Sequence, residues 1–138
     1  MTEDEKVKLS NSINYIAQSI AELNIAWNAY IKKEYDVIED LTDRLYFEDM
    51  KFIAQFIVEK WKFNQTSDFH EFFNALEEIF QTQDLTTCSC ISAGLIEDIQ
   101  AFPIVDCENS FSDWLKPETQ KWWDGAAEYW GKSYHKSS

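Results

Sequence analysis

Carboxylates, two imidazoles and three thiols are the groups with which this 138-residue chain could do chemistry. The histidines are His70 and His135, so general acid and base work would fall mainly on Asp and Glu. Adjacent acids occur at Glu77/Glu78 and Glu97/Asp98. Neighbours on a helix diverge by about 100° and do not converge on one substrate, so both pairs are expected to be solvated surface. Asp98, beside Gly94 at the edge of an apolar face, is expected to be partly buried, with a hydrogen bond to a helix start or an indole as its first role. His70 has Asn74 and Glu77 on its side of a helix and is expected to be a surface imidazole. Cys88 and Cys90 are two apart and leave a helix on opposite sides, while Cys107 falls in a loop. Without a fourth ligand nearby, the expectation is three reduced thiols, no metal and no cofactor. HExxH, GxSxG and Walker patterns are absent, and 3 glycines cannot build a phosphate or dinucleotide loop. The chemistry that remains is binding, and the chain is expected not to be an enzyme.

Charge says what could be bound. There are 25 Asp and Glu against 12 Lys and Arg, a net charge of −13, which repels nucleic acid and anionic lipid and favours a basic partner. The distribution is uneven. No Lys or Arg occurs between Lys62 and Lys116, yet Asp68, Glu71, Glu77, Glu78, Asp84, Glu97, Asp98, Asp106, Glu108 and Asp113 all lie there. A second cluster, Glu34, Asp36, Glu39, Asp40, Asp43, Glu48 and Asp49, is answered within it only by Arg44. Helical surfaces usually mix signs in i,i+4 pairs, so either cluster could await an external counter-charge. Solubility alone is the competing explanation.

The elements that must carry these residues are helical. The content is 45% hydrophobic and 16% aromatic, too apolar for disorder, and the 3 Gly and 2 Pro all lie at or beyond Gly94, which leaves no turn chemistry for a β fold. The expected architecture is all-α: one domain over residues 1–138, a bundle of about five to seven helices. Ile13, Ile16, Ile20, Leu23, Trp27 and Tyr30 recur at three and four, which predicts a helix, and the stripe runs on less cleanly through Ile31, Tyr35, Ile38 and Leu45, as one long bent helix or two joined near Lys33 to Asp36. Glu48, Lys51, Gln55, Glu59 and Lys62 form a single wet stripe, so the helix over 48–63 is predicted to be central. Asp68 with Glu71 resembles a capping box opening a helix that buries Phe69, Phe72, Phe73, Leu76 and Phe80. Asp84 should cap a helix burying Leu85, Cys88, Ile91, Leu95, Ile99 and Phe102, with Glu97 on its wet side and Pro103 at its end. Pro117 should open, and Gly131 close, a last helix burying Trp123, Ala126, Ala127 and Trp130. The start of the sequence lacks a signal-peptide pattern and no stretch approaches the ~20 apolar residues of a membrane span. A cytoplasmic location is therefore expected.

Three stretches, FEDMKFIAQFIVE at 47–59, GLIEDIQ at 94–100 and FSDWLKPETQKWWD at 111–124, together resemble a family of small acidic helical bacterial immunity proteins. Such proteins accompany polymorphic toxins of the contact-dependent growth inhibition and Rhs types. The resemblance spans roughly residues 45–130, leaves 1–43 outside, and carries no transferable set of toxin contacts. It implies a protein that neutralises one cognate toxin C-terminal domain. A nuclease toxin has a phosphate-binding, basic cleft, which fits the charge argument made independently above. The residues expected to meet such a toxin are the outward acids Glu71, Glu78 and Glu97, the loop acids Asp106, Glu108 and Asp113, and the indoles of Trp114 and Trp122 as anchors. Two alternatives stand beside this: a nucleic-acid mimic that blocks a DNA-binding protein, and an acid-dependent hydrolase using Asp98 with Glu97 or His70.

Overall fold

The computed structural model describes residues 1–102 and 111–134, and among them the chain forms six helices and no strand. Helix α1 (Glu3–Ala17) opens with a reciprocal box that the sequence reading missed. The Thr2 hydroxyl accepts from Glu5 N at 3.1 Å and Thr2 N donates to Glu5 Oε1 at 2.8 Å. The chain then turns a corner at residues 18–20, and a second break follows at Glu34, within the predicted Lys33 to Asp36. Ile20 takes extended backbone and helix α2 (Ala21–Glu34) starts without a side-chain cap. The apolar stripe continues through this corner because Ile16, Ile20 and Leu23 all face one core, so spacing alone cannot reveal the break.

Helix α3 (Tyr46–Lys62) has the predicted wet stripe, all five residues of it exposed. It closes in a Schellman arrangement. Asn64 adopts φ 57°, Gln65 N donates to Lys60 O at 2.8 Å, and Asn64 N donates to Trp61 O at 3.1 Å. Helix α4 (Phe69–Thr82) buries the predicted phenylalanines, but Asp68 does not cap it. The backbone at Asp68 is already coiled (φ −99°, ψ 6°) rather than extended, so its carboxylate makes no cap hydrogen bond.

Helix α5 is continuous from Leu85–Ile91 through a π-helical segment, Ser92–Ile96, to Glu97–Ala101. Asp84 caps it, accepting from Thr87 N at 2.9 Å. That cap brings Thr87 and Cys88 to the core and leaves Leu85 exposed, against expectation. In the wider π turn Ser92, Gly94, Leu95 and Ile96 are all buried. Gly94 permits a close approach to α3, since a Cβ there would lie 2.2 Å from Met50 Cε and 3.0 Å from Phe47 Cδ1. Packed against α1, α3 and the last helix, α5 shares the central position predicted for α3. Helix α6 (Pro117–Tyr134) starts at the predicted proline but runs through Gly131. It buries Trp123 and Ala126, with Ala127 half-buried. The loop expected to hold Asp106, Cys107 and Glu108, together with His135 and the Trp130 side chain, lies outside the described residues.

Two aromatic groups anchor the bundle. Phe69, Phe73, Phe111, Trp114 and Trp123 gather where α4 meets the start of α6, and Trp27, Tyr30 and Phe52 stack between α2 and α3.

Candidate functional site

Between α2 and α3, residues 35–45 form a loop that inverts the usual arrangement of side chains and backbone. Arg44, the cation expected to answer the surrounding acids, is 7% exposed and turned onto the backbone. Its Nε donates to Asp40 O at 3.2 Å, its Nη2 to Ile38 O, and its guanidinium lies 4.6 Å from the centroid of the Tyr35 ring. The Ser10 hydroxyl donates to Leu41 O at 2.6 Å, the Tyr46 hydroxyl reaches Leu41 O and Thr42 O, and Leu45 N donates to the Tyr35 hydroxyl at 2.9 Å. These bonds satisfy four of the loop's carbonyls and one of its amides from below. Its apolar side chains are left outside: Val37 is 59% exposed, Leu45 65%, and Phe47 at the start of α3 52%. Ile38 is exposed as well. They share this segment with Glu34, Asp36, Glu39, Asp40, Asp43 and Glu48, all exposed. A pinned loop presenting apolar groups among like charges is suited to contact another macromolecule.

Asp49 holds the loop's two ends together. It is 2% exposed, and its Oδ1 accepts from the hydroxyls of Tyr30 at 2.8 Å and Tyr35 at 2.6 Å. Burial pushes its carboxyl above the ordinary value, and the two hydroxyls and Arg44 pull it only part of the way back. Burial and the bond to Asp49 in turn raise both phenols, which stay neutral donors. This carboxylate is committed to structure. Sequence did carry a signal for it, because Asp49 shares the i, i+4, i+8 face of Ile53 and Ile57, both buried. Beside the cluster opens a groove of about 620 Å³, walled by Tyr30, Tyr35, Phe52 and Leu45 and edged by Glu34, Glu48 and Lys51.

The residues expected to meet a partner from the Lys/Arg-free segment are spread over several elements. Glu71 and Glu78 are exposed on α4, and Glu78 Oε2 accepts from the Tyr15 hydroxyl at 2.5 Å. Asp113 is exposed in the turn before α6. Glu97 is half-buried rather than wet, lining a groove of about 250 Å³ with Lys121, Trp122 and Tyr129. The indoles are half-buried: Trp114 packs edge-on to Phe69 at 5.0 Å and Trp122 stacks on Phe80 at 5.5 Å. Asp106 and Glu108 lie outside the described residues.

Glu77 departs most from expectation. It is buried instead of solvated, and from α4 it caps α6, accepting from Thr119 N at 2.8 Å, the Thr119 hydroxyl at 2.9 Å and Glu118 N at 3.1 Å. Burial works to raise its carboxyl, and these bonds, with one from Gln81, outweigh burial and hold it low. Asp98 is half-buried as expected, but it makes no hydrogen bond to a helix start or indole among the described residues. Burial raises its carboxyl against the field of Lys51, and Glu97 and Glu48 add to the rise. His70 is exposed and contributes nothing to that environment. Cys88 is buried and Cys90 half-buried, both as free thiols. No group of His, Cys, Asp and Glu among the described residues could hold a metal ion.

A family model described as a domain of unknown function (DUF7674) matches residues 13–131. The chain belongs to this family. No curated protein and no solved structure matches it. The DUF7674 match extends well before residue 45, so α2 and the pinned loop belong to the same family domain as α3 to α6. No helix among the described residues is long and apolar enough to cross a membrane.

Proposed function

We propose that this DUF7674 protein is an immunity protein that binds and neutralises a basic toxin domain, a nuclease domain by preference, and that the pinned loop over 35–45 with the start of α3 is the surface that meets it. The observation that carries this reading is the exposure of Val37, Ile38, Leu45 and Phe47 amid six exposed acids, on a backbone already held from within. A preorganised loop loses little freedom on binding, apolar side chains supply the buried centre of an interface, and surrounding acids steer a cation-rich partner toward it. The exposed acids of α4 add to the long-range field.

The test is co-expression with the C-terminal domain encoded by the neighbouring reading frame. Rescue of growth, together with direct binding whose association slows as salt rises, is the expected result. Absence of binding to any neighbouring toxin domain would overturn the reading.

A further inference from the structure

We infer that the groove between α2 and the start of α3 receives an arginine side chain of the partner, its guanidinium set against Tyr30 and Phe52 and paired with Glu34 and Glu48. This rests on the reading above that the partner is basic. The aromatic wall is held in place before anything binds: the Tyr30 and Phe52 rings are 4.4 Å apart and stacked, with Trp27 5.5 Å from Tyr30. Glu34 stands at the C-terminal end of α2, where unpaired carbonyls favour a cation, and Glu48 in the first turn of α3. An aliphatic or anionic occupant would leave these carboxylates desolvated without a partner, or repelled. A guanidinium satisfies both demands, since it is flat enough to stack on a ring and presents forked donors to a carboxylate. The fold itself seats one guanidinium this way next door, with Arg44 over the Tyr35 ring. Lys51 also edges the groove and opposes a cation there, although its field is shared with Asp98 on the neighbouring helix.

The experiment titrates Ac-Gly-Arg-Gly-amide into the intact protein and follows ring and methyl resonances by nuclear magnetic resonance, beside the same peptide with uncharged citrulline in place of arginine. Saturable shifts confined to Tyr30, Tyr35, Phe52 and Leu45 are expected with arginine and none with citrulline. A Glu34→Gln, Glu48→Gln protein should bind about fivefold more weakly, and Lys51→Gln about twofold more tightly. All three positions are exposed, and an unchanged melting temperature verifies the fold. Equal response to citrulline, shifts centred elsewhere, or unchanged affinity in the double variant would each overturn the assignment. Neutralisation measured on the same proteins separates the two readings. A toxin neutralised by a protein that takes no arginine peptide defeats the groove alone, and peptide binding without any neutralised toxin defeats the immunity function alone.

Discussion

Two acid-rich regions of this protein have opposite dispositions. In the segment free of Lys and Arg, most of the described acids ride on helices. One of them, Glu77, is turned inward onto the start of α6, and the described aromatic residues among them pack into the core except Phe63, which is exposed. In the segment over 34–49 all the acids but Asp49 lie exposed around a loop, its one arginine is turned inward, and Val37, Ile38, Leu45 and Phe47 face out. Charge count alone ranks the first region higher as a partner surface. Disposition ranks the second higher, because an interface draws most of its energy from apolar anchors that can be desolvated and uses charge mainly for approach.

The largest effect expected from this comparison is structural. Glu77→Ala leaves Glu118 N and the buried Thr119 groups without their acceptor. It should cost about 3 kcal/mol, lowering the melting temperature by about 10 °C. Glu71→Ala, one helical face away and exposed, should leave it nearly unchanged. Equal melting temperatures for the two variants would show that α4 does not hold α6 through this carboxylate.

Charge reversal compares the regions as surfaces. Asp36→Lys with Glu39→Lys should weaken toxin binding by about thirtyfold, chiefly through slower association, whereas Glu71→Lys with Glu78→Lys should weaken it by about twofold. Asp40 is left intact because its carboxylate accepts from Thr42 N and the Thr42 hydroxyl and shapes the loop. Surface plasmon resonance across a salt series reads both rates, and the reverse ranking would move the interface to α4. A smaller change isolates the apolar part. Val37→Ser should reduce affinity about fivefold with a stability change within about 0.5 kcal/mol, the mark of a side chain that packs only on a partner.

How much of this could be read from sequence follows from what periodicity records. The buried and wet faces of α3 and α4 were legible because a 3.6-residue repeat says which residues face inward. The corner at 18–20 was not, since two helices meeting at Ile20 keep the same inward phase and the second starts without a side-chain cap. Asp68 resembled a cap, but capping needs an extended backbone that the preceding turn had already denied it. Asp49, Lys60 and Glu77 occupy apolar faces, a signal present in their spacing, while their partners come from distant parts of the chain. Lys60, for example, pairs with Glu22 of α2 at 2.8 Å. The pinned loop has no repeat to betray it. Its outward apolar residues become informative only once Arg44 and Ser10 are seen to hold its carbonyls.

The finest distinction between the regions lies in their two buried carboxylates, whose stability should move in opposite directions with pH. Glu77 is held below the ordinary 4.5 of a glutamate, so its contribution is present above that value and lost as pH falls through the lower folded value. Asp49 is raised above the ordinary 3.8 of an aspartate, so the folded state prefers its proton. Its contribution is present below 3.8 and lost as pH rises through the folded value. Asp49→Asn keeps an oxygen for the Tyr30 and Tyr35 hydroxyls and never ionises. Relative to the parent its melting temperature should therefore rise between pH 3 and pH 7. Glu77→Gln should fall relative to the parent over the same range, because only the parent gains a charged acceptor for the α6 amides. Melting curves of the three proteins across that range should give difference lines of opposite slope. Parallel slopes would mean that a hydroxyl pair and a helix start hold a buried carboxylate in the same way, and the contrast between the two regions would then reduce to surface charge.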